Sequence, residues 1–506
     1  MVEAAAQHER WKRLTPRLRA GDPSIWGRPG APELENRLGW LHLASSMQAE
    51  VAALETLAAV AIADSTDQVV LLGMGGSSLA PEVFASVLGV SPGHPRLTVL
   101  DSTHPDQVGW VRDSINPART LFVVSSKSGT TLETLSGFRY FWREAGGVGD
   151  RFIAITDPGT PLHVLAEERG FRAVVNAQSD VGGRFSALTS FGLLPAALIG
   201  ADLKGLLASA DRVDWEAAVS MGVTWATEGL NGHDKLTILT SPGLRSFPMW
   251  LEQLVAESLG KDGTGIVPVA GEPPLDRYSD DRLFQEIRLV SEPVMAAPSG
   301  HPVLQREMSD PYGLGGEMLA AELATAVAGE ILGVHPFDQP DVELAKQRAR
   351  QALDAEPVRV DLFDFFSPVL ADRIDDLLAS MQPGDYFGIH AYLPSDPATD
   401  ALLTRLRLRV GNRAGAATTA GYGPRFLHST GQLHKGGPSN GVFLQLVDEP
   451  VDDLAVPEGS TSFGRIIAAQ ALGDYLALQE RGRRVLRVDL GSDREKGLTA
   501  LLTALG

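Results

Sequence analysis

The pattern of this chain predicts an α/β protein built on doubly wound parallel sheets, and three observations carry that expectation. Short continuous apolar runs such as Leu121–Val124 lack polar alternation, as a parallel strand covered on both faces requires. Helical patterns lie between several of these runs, and strand, helix, strand in repetition builds a parallel sheet. The rhythm restarts after about residue 213 and again after about residue 355, so more than one sheet is expected. With 506 residues, 44% of them apolar and 21% charged, the chain can bury several packed layers.

Residues 1–45 read as a leading helical segment with Trp11, Leu14 and Leu18 at helical spacing, then a Pro/Gly-rich loop, expected to pack onto the next domain. The first α/β domain, residues 46–212, opens with a helix through Leu54, Leu57, Val60 and Ile62. A strand over 68–72 follows and ends in the glycine-rich turn 73–78. A helix starts at Leu79, where Pro81 is tolerated in the first turn, and further strands are expected over 97–101, 120–124, 151–156 and 171–175. The second α/β domain, 213–354, has helices over 213–228, 247–259 and 315–332 and strands over 235–240 and 265–269. Its long Ala-rich helix stops at Gly333, just before Pro336. A helix over 344–353 and a break at Glu356 and Pro357 lead to a C-terminal α/β extension, 355–506, with strands over 386–393, 441–446 and 484–488.

Composition narrows the function. The chain has 0 Cys, which removes disulfides, thiolate catalysis and Cys-ligated zinc and accords with a reducing cytoplasm. A net charge of −19 argues against nucleic acid or an anionic membrane as the main ligand, so any phosphate site must be locally basic. The N-terminus lacks the apolar core of a signal peptide, and no apolar run reaches the ~20 residues of a membrane span. A cytoplasmic protein acting on a small molecule is the expectation.

Five stretches could carry chemistry. After the 120–124 strand, Ser125, Ser126, Lys127, Ser128, Gly129, Thr130 and Thr131 bring hydroxyls and an ammonium to a helix start, where exposed N–H groups favour an anion. The same turn contains Thr130-x-x-Glu133, an ordinary capping box. Gly73-x-Gly75-x-x-Ser78 approaches a dinucleotide fingerprint, with Asp101 placed for a ribose hydroxyl, but lacks the third glycine; a tight turn with Ser78 as N-cap serves equally. Gly182 and Gly183 precede Arg184, so backbone can approach a fixed cation, or the Arg forms a surface salt bridge. Glu257 and Lys261 stand four apart at a helix end, the spacing of an exposed ion pair unless the glycine break turns Glu257 toward a site. Farther on, Asp338 opens a turn that starts a helix carrying Lys346.

Taken in order, these stretches resemble the glucose-6-phosphate isomerase family. The turn 73–78, the loop 126–131, Val181–Ser186, Glu257–Lys261 and Phe337–Lys346 are each similar to a family motif. Within the family the chain is most similar to the isomerase half of fused transaldolase/glucose-6-phosphate isomerase proteins, which carry an extension resembling Arg425–Gly437.

The resemblance implies sugar-isomerase-type domains and aldose–ketose isomerisation of glucose 6-phosphate and fructose 6-phosphate through a cis-enediol, with no metal and no nicotinamide cofactor. It assigns Glu257 as the proton-transfer base, Arg184 as the enediolate-stabilising cation and Lys346 as a helper in ring opening. Ser126, Lys127, Ser128, Thr130 and Thr131 anchor the phosphate, while Gly76, Ser77 and Gln339 line the sugar.

Two departures stand out. The family's ring-opening His, which follows a Gly-Glu-Pro segment, is replaced here by Asp281 after Gly271-Glu-Pro273, and Asp341 stands where a Gly is usual. His434, in the Gly-rich segment 429–437, is either a loop histidine that packs or caps or the group that folds back over the sugar and opens the ring beside Lys346. A non-catalytic sugar-phosphate-binding regulator and a dinucleotide-dependent dehydrogenase are the competing readings.

Overall fold

The computed structural model describes residues 2–27, 30–64, 66–354 and 361–505. Its described residues form three sheets in which every strand pairing is parallel. The first holds β1 (Gln68–Gly73), β2 (Arg96–Leu100), β3 (Thr120–Ser125), β4 (Phe152–Thr156) and β5 (Ala173–Asn176), in the order β2-β1-β3-β4-β5. The second holds β6 (Lys235–Thr240), β7 (Val267–Ala270), β8 (Arg282–Leu289) and β9 (Val303–Met308), ordered β7-β6-β8-β9. The third holds β10 (Leu362–Asp364), β11 (Tyr386–Tyr392), β12 (Ala417–Tyr422), β13 (Gly441–Val447) and β14 (Arg484–Asp489), ordered β10-β14-β13-β11-β12. Counted from β1, β6 and β11, all three share one plan: the chain adds a strand on one side, then crosses over and extends the sheet on the other side; in the third sheet β10, first in the chain, closes the far edge beside β14.

Every residue of β1, β3 and β4 is buried, which is why these strands stand out as continuous apolar runs. β8 and β12 carry no such mark. Arg282, Gln285 and Glu286 interrupt the apolar run of β8, yet the strand is buried because Glu272 neutralises Arg282 at 2.7 Å. β12 is small and hydroxylic instead, reading ATTAGY.

One apolar core extends from Trp11 to Phe337 and includes the helices Ser190–Leu198, Trp215–Leu230, Phe247–Leu259 and Leu314–Leu332. The long helix ends at Gly333 with φ +74°, the left-handed stop its sequence predicts. The leading helix packs on Trp215–Leu230, and Trp26 donates to the Ala326 carbonyl at 2.7 Å, so this segment is anchored on the second unit's helices. A separate core lies around β11, β13 and β14. The break expected at Glu356 and Pro357 lies outside the described residues. Among the described residues no single helix is long and apolar enough to cross a membrane.

The C-terminal unit is fastened by buried polar contacts. Arg407 donates to the Gly271 and Ala270 carbonyls at 2.7 and 3.0 Å, and Glu272 accepts from the Thr418 amide at 2.7 Å. Asp341 exchanges two hydrogen bonds with Gln432, at 2.9 and 2.8 Å, and forms an ion pair with Arg481.

Candidate active site

In a sheet of this order the crevice lies beyond the carboxyl ends of β1 and β3, where the direction of winding reverses. Both turns singled out in the sequence meet there, since Ser125 donates to the Ser77 carbonyl at 3.2 Å. Gly75 has φ +54°, and a Cβ on it would fall 2.8 Å from the His428 carbonyl oxygen. A Cβ on Gly76 would come within 1.9 Å of the Gly183 oxygen, so the turn must be glycine for three segments to converge.

The hydroxyl loop folds on itself: Ser126 and Thr131 share a hydrogen bond at 2.9 Å, as do Ser128 and Thr130. Thr131 occupies the N-cap of the helix Leu132–Glu144 but makes no side-chain bond to it. The capping box does not form, because Glu133 instead accepts from Gln470 Nε2 at 2.7 Å and sits 3.1 Å from His428 Nε2. Burial pushes the Glu133 carboxyl up, but the charges of His428 and Lys346 outweigh it and hold its pKa below the usual range.

A cavity of about 380 Å³ opens between this loop, the helix Val342–Asp354 and the C-terminal unit. Ser128, Thr130, Thr131, Glu133, Lys346 and His428 line it. Arg139 and Arg350 also reach its wall, with Lys435 paired to Asp474 at 2.6 Å, so together with Lys346 cations outnumber the one carboxylate among its described lining residues, Glu133, in a strongly acidic protein.

Beside the Gly75–Ser77 turn stands a second cluster. Arg184, only 3% exposed, donates to Glu257 Oε1 at 3.1 Å, Gln339 Oε1 at 2.8 Å, Ser258 Oγ at 2.8 Å and the carbonyls of Pro336 and Asp338. Burial lowers its pKa while Glu257 and Asp338 oppose the shift; a guanidinium stays cationic. Gln253 donates to Glu257 Oε2 at 3.2 Å and to the His428 carbonyl at 2.7 Å, tying the second unit's carboxylate to the C-terminal unit.

The structure thus brings together Glu257, Arg184 and Gln339, and separately Ser128, Thr130, Thr131 and Lys346, with Gly76 and Ser77 at the shared turn. Three expectations change. Glu257 and Lys261 are not an exposed pair: Glu257 faces Arg184, whereas Lys261 is buried against Asp338 at 2.7 Å, and burial and then the Arg184 charge press its pKa down to about 7. Lys127 turns from the cavity to Asp157, 2.9 Å away, and to the carbonyls of Gln178 and Ser179.

His434 does not reach the cavity. It is 3% exposed, its ring stacks on His390 at 4.6 Å and leans on Phe443, and burial drives its pKa well below the ordinary value. The short helix Gly431–Gly436 directs it into the C-terminal core.

Neither departure from the family pattern enters the cavity lining. Asp281 accepts from Ser279 and lies 3.4 Å from Lys235, while Asp341 serves the docking contacts above. Asp101, the carboxylate a dinucleotide would need, is held by Arg425 at 3.0 Å and Ser78 at 3.3 Å, and burial raises its pKa to about 7. Sequence reasoning missed Glu133, Gln253 and His428. Glu133 was hidden in a capping box, Gln253 on a helix face, and His428 in the same segment as His434.

Four similarities bear on this arrangement. A phosphoglucose isomerase family model matches residues 58–265. The chain is 29% identical to "Glucose-6-phosphate isomerase" of Rubrobacter xylanophilus over 68% of its own length and 94% of that protein, and 31% identical to the protein of the same name in Thermus thermophilus over 56% and 83%. The crystal structure of a hypothetical protein, TT0462, from Thermus thermophilus superimposes with TM-score 0.57 and 26% identity, over 69% of this chain and 97% of that one.

Proposed function

The chain belongs to the phosphoglucose isomerase family, and from that premise we propose that it interconverts glucose 6-phosphate and fructose 6-phosphate through a cis-enediol, a step of glycolysis and gluconeogenesis. The observation that carries the reading is the Glu257–Arg184 pair at 3.1 Å beside the glycine turn, with a hydroxyl-lined basic cavity adjoining it. Moving a hydrogen between C1 and C2 needs one carboxylate that removes a proton next to a carbonyl and returns it to the neighbouring carbon. Glu257 is that base, and Gln253 and Arg184 hold its two oxygens in place. As the proton leaves C2, negative charge develops on the enediolate oxygen, and Arg184 is a fixed cation that needs no reorganisation to meet it.

Phosphate binds at the other end, where Ser126, Ser128, Thr130 and Thr131 offer hydroxyls and the uncapped helix start offers amides. Gln339 and the Gly76–Ser77 backbone hold the sugar between them, and Lys346 assists ring opening. A regulator without turnover would have no use for the carboxylate–guanidinium geometry. In a coupled assay with fructose 6-phosphate, the purified chain should form glucose 6-phosphate and, in deuterated water, incorporate deuterium at the carbon that receives the proton. No conversion in either direction would overturn the reading.

A further inference from the structure

Isomerisation in the open chain is only half the task, because hexose phosphates reach the enzyme mainly as rings. Opening a ring moves a proton from the anomeric hydroxyl to the ring oxygen, and a group that both accepts and donates near neutrality does this best. The Asp281 position contributes nothing here, and His434 is sealed in the C-terminal core.

Resting on the isomerase reading above, we propose that His428, delivered by the C-terminal unit, is the ring-opening acid–base residue, and that Glu133 positions it. Of the described histidines, His428 is the one lining the basic cavity beside Lys346 and the phosphate-loop hydroxyls. Its Nε2 sits 3.1 Å from Glu133 Oε1, an arrangement that orients the ring and places the proton on Nε2. Among the described residues Nδ1 has no hydrogen-bond partner, and the side chain is 20% exposed, so this nitrogen is the one available to a sugar. The backbone is equally fixed: the His428 carbonyl accepts from Gln253, whose other bond is to Glu257. One glutamine therefore ties the ring-opening group to the isomerising base.

The step balances on His428 alone. Nδ1 takes the proton of the anomeric hydroxyl, the bond from the anomeric carbon to the ring oxygen breaks with its electron pair on that oxygen, and the anomeric carbonyl forms. The ring oxygen then receives the proton from Nδ1, and Glu133 stabilises the transient imidazolium.

The same view bears on one departure from the family. Asp341 docks the C-terminal unit through Gln432 and Arg481, as Glu272 does through Thr418. Asp341 therefore belongs to the contacts that hold the unit carrying His428.

The test compares fructose 6-phosphate with 5-deoxyfructose 6-phosphate, which has no C5 hydroxyl and so cannot close a ring. His428→Gln should slow turnover of the first by roughly 10²-fold or more and of the second by less than about 3-fold. Glu133→Gln should show the same preference in kcat with a smaller loss, and Glu257→Gln should abolish both reactions. Equal losses on the two substrates, or normal turnover of both by folded His428→Gln, would overturn the proposal. If His428→Gln fails to fold, His428→Asn and the Glu133→Gln ratio decide by the same criterion. Wild-type protein inactive on both substrates would instead sink the isomerase reading itself.

Discussion

The first and the C-terminal sheets both reverse their winding, beyond β1 and β3 and beyond β11 and β13, yet the two crevices are lined by different chemistry. Beyond β1 and β3 the chain places glycines and hydroxyls, and the positive φ of Gly75 and Gly129 lets the turns curl back and leave room. At the equivalent point beyond β11 and β13, Asp448 takes a hydrogen bond from His104 at 2.8 Å, and Arg494 stands 3.5 Å away. That carboxylate is 3% exposed, and a cavity of about 350 Å³ beside it is lined also by Tyr392, Val447 and Asp489. Strand order creates a crevice, whereas the side chains at the strand ends decide what can occupy it. The C-terminal unit instead serves the site from the segment between β12 and β13.

The contrast breaks most visibly at Glu257. Glu257→Gln retains size and hydrogen bonding but removes the basic oxygen, so kcat should fall by roughly 10²–10⁴ or more with folding little changed. Near-normal turnover would remove Glu257 from the chemistry. A smaller effect is expected in the crevice beyond β1 and β3: Ser126→Ala with Thr131→Ala should raise KM about 10- to 100-fold and leave kcat nearly intact, since the loop contributes binding common to ground and transition states. Unchanged kinetics would show that the loop does not hold the phosphate.

In the crevice beyond β11 and β13 the signature should reverse. Asp448→Asn removes the anion facing His104 and leaves Arg494 with Asp106 and Asp396, which should cost about 1–3 kcal/mol in urea unfolding while KM and kcat stay within about 2-fold. A tenfold change in KM would mean the two crevices are not independent.

The smallest effect on turnover is expected at Glu252, one turn before Glu257 on the same helix. Burial raises its pKa to about 8, with Arg407 opposing. The folded protein therefore keeps a proton that the unfolded chain, at about 4.5, has released, and stability falls as pH rises between these values. Glu252→Gln has no such proton, so its melting temperature should gain on the wild type from pH 5 to about 8 and then hold a constant lead. Parallel melting curves at every pH would contradict the buried acid.

Much of this was legible from residue order. β1, β3 and β4 announce themselves because a strand buried on both faces needs consecutive apolar residues. Glycine and hydroxyl turns are equally readable, since conformational freedom and hydrogen-bonding capacity belong to the residue itself. β8 escaped because its buried Arg282 is acceptable only beside Glu272, ten positions earlier in the chain.

Side-chain direction is another matter. His428 and His434 belong to one short segment, and local pattern gives no reason to prefer either; the fold turns the second into an aromatic core and the first toward Glu133, 295 positions away. Lys127 likewise carries the right charge in the right loop, but Asp157 draws it aside. Residue types suited to phosphate and proton transfer are properties of the chain, written locally. Which of them face a common cavity depends on how segments distant in sequence pack, because burial, pairing and orientation are set by neighbours that no local window contains.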